Sequence, residues 1–199
     1  MTARPYPMRR ARQPHWEYAM SIRHLTTLSM LLFALGGPQA SMAQAAPAAP
    51  ATTKLDSGDR DFLESAAQAG HLEVEGSKMA LEKGHSPDVK TFAQKMIDDH
   101  GKAGQQLAAL AKGKGYEVPT EPSLVQKARL KALGLRDEGF DKAYADEIGV
   151  DAHEDAVKLF EKASNEVKDP EVKQFAIQTL PTLQQHLQMA KTLKQATEK

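Results

Sequence analysis

The chain contains no cysteine. This absence excludes disulfide bonds, a thiolate metal site, a cysteine nucleophile and a lipid anchor attached through cysteine. The fold must therefore be held together by packing, or by packing together with a metal ion that other side chains bind.

Long apolar runs are also missing. The stretch from Leu25 to Leu35 has eleven residues, whereas a bilayer-spanning helix needs about 20. Arg23 precedes this stretch and small residues follow it as far as Ala45, which is the pattern of a secretory signal. We predict a signal region over residues 1–45, with a possible start at Met20 and cleavage after Ala45. The mature protein would then be exported, periplasmic or extracellular, without a membrane span; an uncleaved anchor is the alternative.

Basic residues are not concentrated anywhere in the remaining chain. The first 45 residues hold five arginines and one glutamate, which leaves 21 basic and 25 acidic residues and a formal net charge of −4. Without a basic stripe, nucleic-acid binding is not expected. The exposed faces are ordinary mixtures of lysine, glutamate and glutamine, so the sequence does not identify a protein partner.

The mature part of the sequence contains no alternating run of β-branched residues that would predict a strand. The Ala/Pro/Thr-rich start of the mature part predicts a flexible linker over 46–57, followed by one helical domain over 58–197. Cap residues, prolines and apolar periodicity place its helices. They predict helices near 57–83, 87–112, 123–133, 138–167 and 170–197.

Two tight helical hairpins joined by a connection of about 25 residues predict an all-α fold. This pattern suits a ferritin-like four-helix bundle with a short extra helix in the long connection. An up-down-up-down bundle with an elaborated middle loop remains open.

Each of the four long predicted helices carries one ionisable residue on its apolar face: Glu73, His100, His153 and His186. Steps of three and four residues keep each of them on the inner face. At about 1.5 Å per residue they lie roughly 18, 22, 21 and 28 Å from the nearest hairpin turn. We therefore expect them to meet near mid-height, with a bend at Pro181 bringing His186 into line.

A buried ionisable group needs a partner, and a metal ion is one kind of partner. Three imidazoles and a carboxylate suit one Zn, Cu, Fe or Ni ion, with Asp99 and Glu147 as possible supporting residues. The alternative is a metal-free network of hydrogen bonds between Glu73 and the histidines, in a structural or interaction protein of the cell envelope. Glycines flank the same level, and their role remains open: Gly76, Gly101, Gly104 and Gly149.

Catalysis is the least favoured function. A Glu/His pair can perform acid–base chemistry, but the sequence has no Ser/His/Asp order, phosphate loop or dinucleotide motif. Methionines at helical spacing are ordinary core residues. We therefore predict no catalytic residues.

Four segments resemble a known family. The segments are DRDFLESAAQAGHLEVEGSKMAL, SPDVKTFAQKMIDDH, FDKAYADEIGVDAHEDAVKLFEKA and LPTLQQHL. Together they resemble a bacterial domain-of-unknown-function family of exported ferritin-like four-helix proteins, often labelled as outer membrane proteins. The resemblance covers roughly residues 59–193. It implies the fold and says little about activity.

The resemblance carries over Glu73, the pair Asp99-His100, His153, and the element from Leu180 to His186. The chain departs from the family pattern at Ala152, where an acidic residue is frequent, and at Gly76, where an aliphatic residue is usual. Ferritins with two iron ions use Glu-x-x-His motifs, but Ile97 and Leu183 occupy the positions three residues before His100 and His186. A di-iron site of that kind is therefore disfavoured.

Overall fold

The computed structural model describes residues 54–198. The signal region over 1–45, the start at Met20 and most of the predicted linker lie outside the described residues. Within 54–198 every regular element is helical, which confirms the all-α class. The helices are α1 (Ser57–Lys83), α2 (Pro87–Gly113), α3 (Leu124–Gly134), α4 (Phe140–Tyr144), α5 (Ala152–Glu166) and α6 (Pro170–Thr197), with a π-helical segment (Ala145–Asp151) joining α4 to α5.

Local sequence signals explain where the long helices begin. The side chain of Asp56 accepts a hydrogen bond from the backbone of Asp59 and caps α1. Ser86 and Asp169 cap α2 and α6 in the same way, and a proline follows each of them in the first turn. These caps satisfy backbone N–H groups that a helix leaves free, while proline loses nothing there.

Helix α1 packs against α2 and α5, and α6 packs against α2 and α5. Contacts between Phe62 and Phe160, and between Lys114 and Asp169, fix the directions of the pairs. They make α1 antiparallel to α5 and α2 antiparallel to α6. Helices α2 and α5 therefore run in the same direction, and the connection that contains α3 leads from the end of the molecule where α2 finishes to the opposite end, where α2 began.

Two carboxylates accept hydrogen bonds from the backbone of the hairpin turns and so connect each turn to a neighbouring helix. Asp59 of α1 is 3% exposed and accepts hydrogen bonds from the backbone N–H groups of Lys168 and Asp169, in the turn before α6. Asp141 of α4 accepts from the backbone of His85 and Ser86, in the turn before α2. Each turn is thus held in place by an element distant in sequence.

The apolar core forms two clusters. One contains residues of α1, α2 and α6 such as Leu72, Phe92 and Leu193. The other lies towards the opposite end and includes Phe62, Leu107 and Leu183. The four predicted site residues fall between the two clusters, so a layer of buried polar groups separates the apolar regions.

None of the helices within residues 54–198 combines the length and apolarity needed to cross a bilayer. Helix α6 runs without interruption through Pro181. The prediction of one continuous α-helix over 138–167 is wrong in one respect. The middle of this stretch is π-helical, and the short helix α4 precedes the π-helical segment.

Candidate metal centre

His100 is held by a buried carboxylate. Its Nδ1 lies 2.9 Å from Oε2 of Glu73, and the two side chains are 6% and 1% exposed. A carboxylate at this distance fixes the orientation of the ring and directs Nε2 towards the interior.

His153 is positioned by the π-helical segment. Its Nδ1 lies 3.1 Å from the carbonyl oxygen of Ile148, and the residue is fully buried. The backbone N–H of Ala152 bonds five residues back to Glu147, and the guanidinium of Arg129 donates to the same carbonyl. The widened turn therefore presents the Ile148 carbonyl to the imidazole, in keeping with the frequent occurrence of π turns at functional sites.

His186 is held by Asp99. Its Nε2 lies 2.9 Å from Oδ2 of Asp99, and that carboxylate also accepts from Lys95 at 2.7 Å. The other nitrogen of His186, Nδ1, is buried and has no hydrogen-bond partner among residues 54–198. Such an orphaned acceptor is costly unless something binds it.

The three rings converge on one point. Nε2 of His100 lies 3.3 Å from Nε2 of His153, and the ring centroids are 5.2 to 5.5 Å apart. One nitrogen from each histidine falls within 4.8 Å of the others. Two imidazole nitrogens bound to one ion at about 2.0 Å with tetrahedral angles would be about 3.3 Å apart. The pair His100–His153 already has this separation, and His186 lies close enough for the three histidines together to be able to hold a metal ion.

Glu73 occupies the outer side of this group. The nitrogens nearest to it are Nδ1 of His100 and, at 3.7 Å, Nδ1 of His153. Its Oε1 is buried and has no hydrogen-bond partner among the described residues. Glu73 therefore lies on the Nδ1 side of these two imidazoles, where it can orient the rings while their Nε2 atoms converge.

Burial and charge set the protonation of the cluster. Burial would raise the pKa of Glu73, but the neighbouring His100 and His153 outweigh it and lower that pKa. Burial would lower the pKa of His100, but the Glu73 carboxylate reverses the effect and raises it. Burial lowers the pKa of His153 and lowers that of His186 to about 4, although Asp99 opposes the shift. His153 and His186 are thus neutral at neutral pH, which is the form that binds metals.

One predicted supporting residue, Glu147, and two histidines that were not predicted to belong to the site lie elsewhere. The structure does not bring Glu147 to the cluster, because its carboxylate pairs with Arg136 at 3.1 Å on the surface. His71 contacts the carbonyl of Pro119, and His85 lies exposed in a turn. Asp99 supports His186, as the sequence suggests.

The four glycines at this level divide into two kinds. A Cβ at Gly76 would come within 2.9 Å of Ile148, and one at Gly149 within 3.3 Å of Ala190. These two glycines permit close packing beside the site. A Cβ at Gly101 or Gly104 would meet nothing within 4 Å, so those positions face open space.

Two features escaped the sequence analysis. The Ile148 carbonyl leaves no signal in a side-chain pattern. Ser77 and Tyr144 form a buried hydrogen bond of 2.8 Å one turn from Glu73, and burial raises the pKa of the Tyr144 hydroxyl. The position of Ser77 four residues after Glu73, on the same face of α1, is the only sequence signal that could have indicated it.

The geometry defines an all-helical protein with a buried histidine cluster. The chain belongs to the family described as "Domain of unknown function (DUF4142)", whose model matches residues 44–193. No curated protein sequence matches it significantly.

Solved structures share the fold. A DUF305 fragment from Deinococcus radiodurans is 18% identical, with 72% of this chain and 99% of that chain covered and a TM-score of 0.61. CopM in the Cu(I)-bound form is 19% identical, with 69% and 96% covered and a TM-score of 0.60. CopM in the Ag-bound form is 18% identical, with 72% and 98% covered and a TM-score of 0.58.

Proposed function

We propose that the protein binds one transition-metal ion through His100, His153 and His186. The observation that carries the proposal is the pairing of each ring: one nitrogen has an outer acceptor, and the other nitrogen is left for a shared centre. The outer acceptors are Glu73, the Ile148 carbonyl and Asp99. Imidazoles bound to metals usually have such partners on their second nitrogen.

Glu73 and Asp99 act as orienting partners in this proposal, and the free Nδ1 of His186 is the third ligand atom. Glu73 would become a fourth ligand only by turning its orphaned Oε1 inwards. Imidazole donors suit Zn, Cu, Fe and Ni, and the order of affinities favours copper among them. The bound copper and silver of the CopM structures, which share this fold, make copper the first metal to test.

The wider context is also proposed. Two antiparallel hairpins joined by one long connection fit a ferritin-like four-helix bundle. The signal pattern over 1–45 and the linker over 46–57 support export to the periplasm or the cell exterior. Storage, buffering or redox protection would be roles for such a metal-binding protein.

The test is elemental analysis of the untagged protein, expressed from the full chain and desalted after incubation with copper, zinc or iron. We expect about one ion per chain and a higher melting temperature on loading. His153→Gln should lose both effects, while His85→Gln, at an exposed site, should keep them. Less than about a tenth of an ion per chain with every metal would refute the proposal.

A metal-free network is the second candidate, in a structural or interaction protein of the cell envelope. A protonated His100 can donate from Nδ1 to Glu73 and from Nε2 to His153, over the observed 2.9 and 3.3 Å. This network satisfies His100 but leaves Nδ1 of His186 without a partner among residues 54–198. It predicts that His153→Gln destabilises the protein equally with and without added metal.

A further inference from the structure

A cavity of about 770 Å³ adjoins the histidine cluster. Its wall includes His100, His186, Glu73 and Asp99 at one end. His153 does not belong to the wall and is fully buried. The cluster is therefore closed on the His153 side and open on the side of His100 and His186.

Most of the remaining wall is apolar. It combines aliphatic and aromatic side chains such as Leu107, Phe160 and Phe175 with small residues of α1 and α2. A mainly apolar cavity of a few hundred cubic ångströms, with a few polar groups at one place, is the usual form of a small-molecule site.

Two glycines of the cavity wall have no neighbour packed against them. Gly70 of α1 and Gly104 of α2 both belong to the wall, and a Cβ at either would meet nothing within 4 Å. Glycine in a helix interior costs about 1 kcal/mol relative to alanine. No close helix contact accounts for that cost at these two positions, unlike Gly76 and Gly149.

We propose that the cavity binds a small neutral molecule, with an apolar body and one nitrogen donor, whose donor atom occupies a coordination position left open by the three histidines. The inference rests on the proposed metal site. Three protein ligands leave a fourth tetrahedral position free, and the side of the cluster formed by His100 and His186 faces the cavity. The mainly apolar wall makes burial of a charged molecule costly, which favours a neutral donor over an anion.

The experiment titrates the copper(II)-loaded full chain with imidazole, 4-phenylimidazole and azide, and follows the visible absorption of the copper. Burial of the phenyl group in the cavity should make 4-phenylimidazole bind about tenfold tighter than imidazole or better. Azide should bind most weakly. Equal affinities for the two imidazoles, tighter binding of azide, or removal of copper by the ligands would overturn the proposal.

Two variants test the place of binding. Gly104→Leu and Gly70→Leu fill the cavity from different helices and should abolish the preference for 4-phenylimidazole without changing the copper content. Gly113→Leu is the matched control, since this glycine of α2 is equally unobstructed but lies outside the cavity wall. A preference that survives in both cavity variants would place the phenyl group elsewhere and refute the proposal.

The outcomes separate the two proposals. Wild-type protein that holds copper but does not respond to either imidazole retains the metal site and loses the ligand site. Protein that holds no copper loses both. Melting curves of each variant establish that it is folded, and the wild-type comparison of the two imidazoles decides the question even if one variant is not.

Discussion

Asp99 connects the buried histidine cluster to the protein surface. It accepts hydrogen bonds from His186 at 2.9 Å and from Lys95 at 2.7 Å, so its carboxylate is shared between the interior and the surface. Burial alone would raise the pKa of Asp99, but the hydrogen bonds from Lys95 and His186 outweigh this effect, so the pKa is lowered. The residue therefore stays ionised and fixes which nitrogen of His186 carries the proton.

Asp99→Asn should weaken metal binding by about 10- to 100-fold, because the ring of His186 loses a partner that sets its orientation and basicity. The fold should persist, since the side chain is 26% exposed and asparagine can still contact the ring. Competition with a chelator measures the affinity. Asp98→Asn, at the exposed neighbouring position, is the control and should bind as the wild type does. Equal affinities in the two variants would contradict a role for Asp99.

At the scale of helices, the π-helical segment and the glycines that face it act together. Ile148 of the segment packs on Gly76 of α1, and Gly149 packs on Ala190 of α6. Close approach on both sides holds the segment where its Ile148 carbonyl meets His153. Side chains at either glycine would separate the segment from its neighbours.

Gly76→Ala should destabilise the protein by about 1–3 kcal/mol, because the new methyl group would overlap Cγ1 of the buried Ile148. Urea unfolding of the metal-free protein measures this loss. The matched variant is Gly70→Ala, on the same helix with nothing within 4 Å. It should gain up to about 1 kcal/mol from helix propensity. The same sign of change in both variants would contradict the packing explanation.

The sequence predicted most helix ends closely, because caps and prolines are local signals. Ser86-Pro87 and Asp169-Pro170 start α2 and α6 where expected. The sequence did not predict the π-helical segment, which depends on contacts with Gly76 and Arg129 that are distant along the chain. Periodicity likewise indicated Glu73 and the histidines, but could not distinguish Asp99, which reaches His186, from Glu147, which pairs with arginines.

For the whole molecule, acid should weaken the fold. His186 has a pKa of about 4 when folded, against 6.5 for an unperturbed histidine. Between these values the unfolded chain binds more protons, so stability is lost as the pH falls from 6.5 towards 4. His153, whose pKa is also lowered, adds to the loss, whereas His100, whose pKa is raised, opposes it.

Urea unfolding of the metal-free protein across this range should therefore show a net decrease in stability on acidification. His186 alone contributes at most about 3 to 4 kcal/mol, since its pKa is lowered from 6.5 to about 4 and one pKa unit corresponds to about 1.4 kcal/mol. His186→Gln should be less stable at neutral pH but should depend less on pH. Constant or increasing stability of the wild type on acidification would contradict the burial of neutral imidazoles.

The polar layer between the two apolar clusters has a mechanical consequence. Val157 packs against both clusters, but Glu73 and the three histidines lie between their other residues, so the two ends of the molecule can loosen as partly separate cooperative units. An ion bound by histidines of α2, α5 and α6 would join these helices within the polar layer. Amide hydrogen exchange at both ends of the molecule would then slow together when the ion binds. Metal binding in the middle of the molecule would thus suppress local opening at both of its ends.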